Sequence, residues 1–221
     1  MPRFPGVDYM SIDSQFSEQE LLVRQTSRQF VDDRVAPVIR DCYRDGRFPK
    51  ELIAEMGRLG FLGANLEGYG CAGMSEVEYG LLMQELERGD SGIRSFVSVQ
   101  GALVMYPILT YGSEEQKARW MPRLQSGAAV GCFGLTEPDF GSNPAGMKTR
   151  AERHGDGWIL NGEKTWITNG SVADVALVWA RAADGIRGFL VENGTPGFQA
   201  TELHGKMSMR ASVTSSLSLA D

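Results

Sequence analysis

Cysteine and histidine are scarce: Cys42, Cys71 and Cys132, with His154 and His204, are all that 221 residues contain. None lies at ligand spacing from another, so the sequence predicts neither a zinc site nor a disulfide framework. Positive charge is not in surplus either. Against 22 Lys and Arg stand 28 Asp and Glu, a formal net charge of −6, which excludes a broad basic surface for nucleic acid or anionic membrane. Long apolar runs are lacking, VALVWA (175–180) being well short of a bilayer span. The opening MPRFPGVDYMSIDSQFSEQE has neither the apolar core of a signal peptide nor the Arg- and Ser-rich, acid-poor composition of a transit peptide, and reads as the start of a soluble intracellular chain.

What is present is enough apolar material, 42% hydrophobic against 23% charged, for one large or two small domains with real cores. The first half carries helix-start signals followed by apolar residues at spacings of three and four. Ser17 with Glu20, Ser75 with Glu78 and Ser113 with Gln116 are capping boxes, while Pro37 and Gly60 fall where helices should stop. Helices are expected near 17–35, 38–45, 50–59, 75–88, 92–111 and 114–126. From Ala129 the sequence changes to short segments rich in Val, Ile, Thr, Trp and Phe, separated by HGDG, NG and DG pairs. WILNGEKTWIT reads as a strand, an Asn161-Gly162 turn and a second strand. The expectation is an α+β chain, a helical domain over 1–128 followed by an antiparallel β-domain over 129–221.

Three groups of residues carry possible chemistry. On a helix, Glu87, Ser91, Arg94 and Ser98 fall within about 60° of one another, opposite Leu82, Leu86, Ile93 and Val97. That stripe is either a solvated face or an anion clamp in which Arg94 is assisted by Ser95 and Ser98. FGLTEPDFGSNP (133–144) is a strand ending in an irregular loop whose backbone amides and Thr136 and Ser142 hydroxyls suit an anion; the plainer reading is a surface connection. By period two, Lys164, Trp166 and Thr168 share a face, leaving Thr165 and Ile167 on the other. Trp166 is then either a platform for a planar ring with polar edges or a tryptophan of the sheet core.

CFGLTEPDFGSNP followed by LNGEKTWITNG resembles the central sheet domain of the acyl-CoA dehydrogenase flavoproteins, and GSEEQKARWMPRL resembles the helix leading into it. Within that family, ELERGDSGIRSFVSVQGALVMYPI and GKMSMRASVTSS are similar to glutaryl-CoA dehydrogenases. The resemblance implies a barrel-like β-domain and an FAD site formed by Phe133, Gly134, Leu135, Thr136, Gly141 and Ser142 on one side and Trp166, Ile167 and Thr168 on the other. It implies that Arg94 receives the distal carboxylate of the substrate, with Ser95 alongside and Glu87 nearby, and with Ser142 close to the thioester ligand; Ser98 joins this substrate site by its helical spacing.

The implied reaction is α,β-dehydrogenation of an acyl-CoA thioester, for glutaryl-CoA with decarboxylation to crotonyl-CoA, electrons passing to an electron-transfer flavoprotein. A homotetramer in the cytoplasm, or in the mitochondrial matrix of a eukaryote, is the implied setting. The sequence departs from the family at Asn143, where aspartate is usual, and in length. The resemblance places the glutamate base and much of the CoA site in a C-terminal helical domain beyond residue 221, so no catalytic base is assigned among these residues and the isolated chain is expected to be inactive. The competing readings are a catalytically silent module that binds acyl-CoA or a protein partner, and a dehydrogenase for another acyl-CoA.

Overall fold

The computed structural model describes residues 9–220; what the leader reading drew from residues 1–8 lies outside them. Its helical half is α1 (Glu18–Phe30), α2 (Ala36–Asp45), α3 (Ile53–Arg58), α4 (Glu76–Gly89), α5 (Ser91–Ser98), α6 (Tyr106–Tyr111) and α7 (Glu114–Ser126). All three expected capping boxes form: the side chains of Ser17, Ser75 and Ser113 accept from the amides of Glu20, Glu78 and Gln116, whose side chains return the bond. Gly60, at φ +74°, follows α3 as expected.

Pro37 does not stop a helix. The chain runs from α1 through a π segment, Val31–Val35, directly into α2, with Pro37 in the first turn of the latter. A second π segment, Val99–Met105, joins α5 to α6 just ahead of Pro107. In each, the wider turn shifts the hydrogen-bond register before the proline, whose ring would otherwise meet the carbonyl four residues back. The resulting run Ser91–Tyr111 has 21 residues, and an 18-residue stretch within it has a mean hydropathy of 1.2. By length and composition this helix could cross a bilayer, but it is interrupted by Arg94 and Gln100 and 61% of that stretch is buried within the fold, as in a core helix.

The second half is a seven-stranded sheet in the order β1-β4-β2-β3-β7-β6, with β5 paired to β4. The strands are β1 (Gly131–Gly134), β2 (Arg150–His154), β3 (Gly157–Thr168), β4 (Val175–Ala182), β5 (Gly185–Glu192), β6 (Phe198–Glu202) and β7 (Thr214–Leu219). It is mixed rather than purely antiparallel, because β1 and β4 run parallel, Gly131 opposite Val175. The intervening β2–β3 hairpin leaves enough chain for that crossover. The sheet curls into a half-barrel, and a side chain at Gly134 would lie 3.2 Å from Leu217 of β7 and 3.5 Å from Lys164 of β3.

Asn161-Gly162 is not a turn. β3 continues through it for 12 residues, and the hairpin turns instead at Gly155-Asp156, between His154 and Gly157. Up to Asn161, β3 pairs with β2; from Gly162 onward it pairs with β7. Glycine is required at that change of partner because a Cβ on Gly162 would lie 2.4 Å from the Thr149 hydroxyl.

One buried side chain joins the two halves. Gln100, in the second π segment, donates from Nε2 to the carbonyls of Leu124 and Ala129 at 3.0 and 2.9 Å and accepts from the Gly131 amide at 2.8 Å. It thereby ties the end of α7 to the start of β1. Gln100→Leu orphans all three buried groups and is expected to cost about 3 kcal/mol or more, read as a lowered midpoint in urea denaturation with an unchanged slope.

Candidate functional site

Arg94 projects from α5, whose first turn is set by Asp90: its carboxylate caps the Gly92 amide at 2.7 Å. That cap interrupts the helix between Gly89 and Ser91, yet the polar stripe survives the break. Arg94 Nε donates to Glu87 Oε2 at 2.7 Å, and the Ser91 hydroxyl donates to the other oxygen of Glu87. The Ser91 hydroxyl and then the Arg94 guanidinium hold the Glu87 carboxyl below its usual range. Leu82, Leu86, Ile93 and Val97 are buried on the opposite side. Arg94 is half-buried rather than solvated, Ser95 is buried, and the Ser98 hydroxyl donates to the Ser95 carbonyl at 3.1 Å.

The same helix rests on the sheet. A Cβ on Gly92 would lie 2.9 Å from the Ala211 carbonyl oxygen, Val213 packs in one core cluster with Ile93, Phe96 and Val97, and the Asn169 amide donates to the Val213 carbonyl at 3.2 Å. Arg94 and Thr168 thus stand on elements separated by one seam, Ala211–Val213. Asn169 is buried at φ +68° and also reaches the Gly131 carbonyl through Nδ2 at 3.3 Å. The sequence reads this Asn-Gly pair as one of its turn signals but gives Asn169 no part in the site.

The strand face is not as period two predicts. Between Lys164 and Ile167 the register with β7 shifts, and Trp166 sits at φ +59°. The bulge turns Lys164 and Ile167 both inward, at 0% and 3% exposure, and throws Trp166 outward at 66%. Trp166 therefore shares no face with Lys164, and it is not a core tryptophan. Its indole lies open beside Thr168, which is half-buried.

Lys164 is instead the hub of the loop leaving β1. Its ammonium donates to the Leu135 carbonyl at 3.1 Å and to Glu137 Oε1 at 2.9 Å, and the Thr165 amide donates to the Thr136 carbonyl at 2.9 Å. Glu137 also accepts from the amides of Lys148 and Thr149 at 2.6 and 2.9 Å. Burial raises the Glu137 pKa, but the bonds from Thr149, Lys148 and Lys164 outweigh it and bring the carboxyl down to about 2. Burial in turn lowers Lys164, against the pull of Glu137. Around this hub, Phe133, Leu135 and Thr136 are half-buried and Gly134 is buried. Gly141 and Ser142 are exposed, with nothing within 4 Å of where a Gly141 side chain would stand. Neither Lys164 nor Glu137 was predicted as a site residue, although a lysine inside an apolar strand signals a buried partner. No cluster of metal-ligating side chains occurs among the described residues, and the three cysteines are free.

A helical layer carrying a half-buried arginine, packed on a curled sheet that bears an exposed indole and an open loop, defines an α+β class of protein. Residues 17–128 match the acyl-CoA dehydrogenase N-terminal domain and residues 132–221 the acyl-CoA dehydrogenase middle domain. The chain belongs to the acyl-CoA dehydrogenase family. It is 37% identical over 219 residues to the human short-chain specific acyl-CoA dehydrogenase, mitochondrial, covering 96% of this chain and 53% of that protein. A glutaryl-CoA dehydrogenase from Mycobacterium smegmatis, solved in complex with FADH2, is 60% identical with a TM-score of 0.93, covering 95% of this chain and 54% of the other. A glutaryl-coenzyme A dehydrogenase solved with glutaryl-CoA is 34% identical with a TM-score of 0.89, covering 93% and 54%. The chain thus spans about half the length of the relatives it matches.

Because the folded Glu137 carboxyl lies at about 2 against an ordinary 4.5, its stabilisation is present above pH 4.5 and is lost as the pH falls toward 2. Glu137→Gln is expected to cost about 3–5 kcal/mol near neutrality, the usual result of unpairing a buried charge. The gap between wild type and variant should close on acidification through that window, as measured by urea unfolding at a series of pH values.

Proposed function

We propose that this chain forms the flavin site and the acyl end of the substrate site of an FAD-dependent acyl-CoA dehydrogenase acting on glutaryl-CoA. The donor set suits the cofactor. The uncovered Trp166 indole offers a flat face, the Thr136 and Thr168 hydroxyls offer bonds to polar ring edges, and Gly141-Ser142 leaves room and a hydroxyl for phosphate oxygens. FAD, when bound, accepts the hydride that leaves the substrate β-carbon.

The observation that carries the substrate reading is Arg94, half-buried, fixed by a single carboxylate and one seam away from Thr168. A distal carboxylate meets a guanidinium there, whereas a hydrocarbon end leaves that cation without its ligand. Ser95 and Ser98 flank it, and the identity to the two glutaryl-CoA dehydrogenases supports the same substrate. Glu137 is a poor candidate for the base that takes the α-proton, since it is spent on Lys164 and two amides and is held at about 2. The base is assigned instead to the helical segment that the family resemblance places after residue 221. Loss of the α-proton and a β-hydride from a five-carbon diacid thioester leaves a vinylogous acid, which releases carbon dioxide to give crotonyl-CoA. An electron-transfer flavoprotein as acceptor, a homotetramer, and a cytoplasmic or matrix location complete the reading.

Two measurements test it. In the active assembly, Arg94→Gln should lower kcat/KM for glutaryl-CoA by about 2–5 kcal/mol and for butyryl-CoA far less; equal losses in a folded variant return Arg94 to a structural role. Trp166→Ala, removing a solvent-facing ring, should leave the melting temperature nearly unchanged while weakening FAD retention and altering the flavin absorbance. Full occupancy with an unchanged spectrum refutes the flavin assignment.

A further inference from the structure

Among the described residues, Lys164 is the one buried cation. Withdrawing an ammonium from water is costly, and an apolar pair of similar volume is often as stable as a buried ion pair or more so. Stability alone therefore does not account for a Lys–Glu pair at this point. What the pair supplies is direction. The ammonium meets two acceptors two residues apart, the Leu135 carbonyl and the Glu137 carboxylate, and the neighbouring Thr165 amide meets the residue between them, Thr136. Three successive residues leaving β1 are thus fastened to β3.

Glu137 extends the attachment around the loop. Its backbone exchanges bonds with Phe140 at 3.1 Å each way, and its carboxylate holds the amides of Lys148 and Thr149 at the loop's far end. Gly141 and Ser142 therefore hang from a closed turn whose two ends meet at one carboxylate. The bulge that sends Lys164 inward is also the one that sends Trp166 outward, so the indole and the ammonium are placed by a single backbone event.

Resting on the flavin reading above, we propose that Lys164 and Glu137 are positioning residues of the flavin site: their buried pair fixes Leu135–Thr136 and the loop 137–149 against Trp166–Thr168, and so sets the geometry in which the flavin is held. The pair touches no reacting atom. Its influence passes through the backbone carbonyls and amides it holds.

The test titrates FAD into the flavin-depleted active assembly, following flavin fluorescence, visible circular dichroism, and amide exchange of the 135–149 peptides. The double variant Lys164→Met with Glu137→Gln removes both charges and leaves no ion unpaired. It orphans the Leu135 carbonyl and one loop amide, so it should melt below wild type but above Glu137→Gln alone, and bind FAD about tenfold more weakly or worse, with a changed flavin dichroism and faster exchange confined to 135–149. Lys164→Gln, which keeps an amide donor toward Leu135 and Glu137, should lose less affinity and serves as the deciding variant where the double one does not fold. A folded variant whose FAD affinity and flavin dichroism equal those of wild type overturns the proposal while leaving the flavin reading intact. A wild-type assembly that binds no FAD removes the flavin reading and the proposal with it.

Discussion

Lys164 reaches the interior only because β3 carries a bulge before Ile167, and the loop after β1 is organised around its ammonium. Without the bulge, strict alternation would put Lys164 and Trp166 on the same side. Either the lysine would face water and leave Glu137 buried without a partner, or the tryptophan would enter the core and leave the sheet surface without its exposed ring. A left-handed backbone at Trp166 is a local cost of a kind that persists only where the surroundings over-determine it. Here they do, through the ion pair on one side and the β7 pairing that resumes at Ile167 on the other.

The second constraint is the junction between the helices and the sheet. Gln100 satisfies two carbonyls and one amide where α7 gives way to β1. Asn169 does comparable work at the other end of β3, tying it to β1 and to the segment before β7. Both are neutral amides, each able to donate and accept at once, which suits a crossing where free carbonyls and amides converge. Since α5 rests on that segment through Gly92, the position of Arg94 relative to Thr168 is inherited from these buried amides rather than from any contact between the two residues.

The glycines divide along the same lines. Gly131 lies where a Cβ would stand 2.5 Å from Val104, so β1 can lie directly on the π segment. Gly162 allows β3 to pass Thr149 as it changes partners. Gly141 has open space above it, and its freedom serves no packing contact within the described residues.

Much of the local structure was legible in the sequence because its causes are local. The three capping boxes, the glycine after α3 and the apolar stripe through Leu82, Leu86, Ile93 and Val97 depend on residues within one or two helical turns. The stripe that joins Arg94 to Glu87 was legible too, even across the break at Asp90. The motifs around Thr136 and Trp166 carried the family, since they record a chain order and spacing. Only the tertiary structure decided the rest, because each outcome is fixed by a partner distant in sequence. Asn161-Gly162 is a local turn signal overruled by pairing with β7, and Pro37 is a stop signal overruled by a π segment inside a packed helix. The burial of Lys164 depends on a carboxylate 27 residues away in the chain. A sequence can state that a lysine, a glutamate and a tryptophan are present; which of them faces the core is settled by where the register of β3 against β7 shifts.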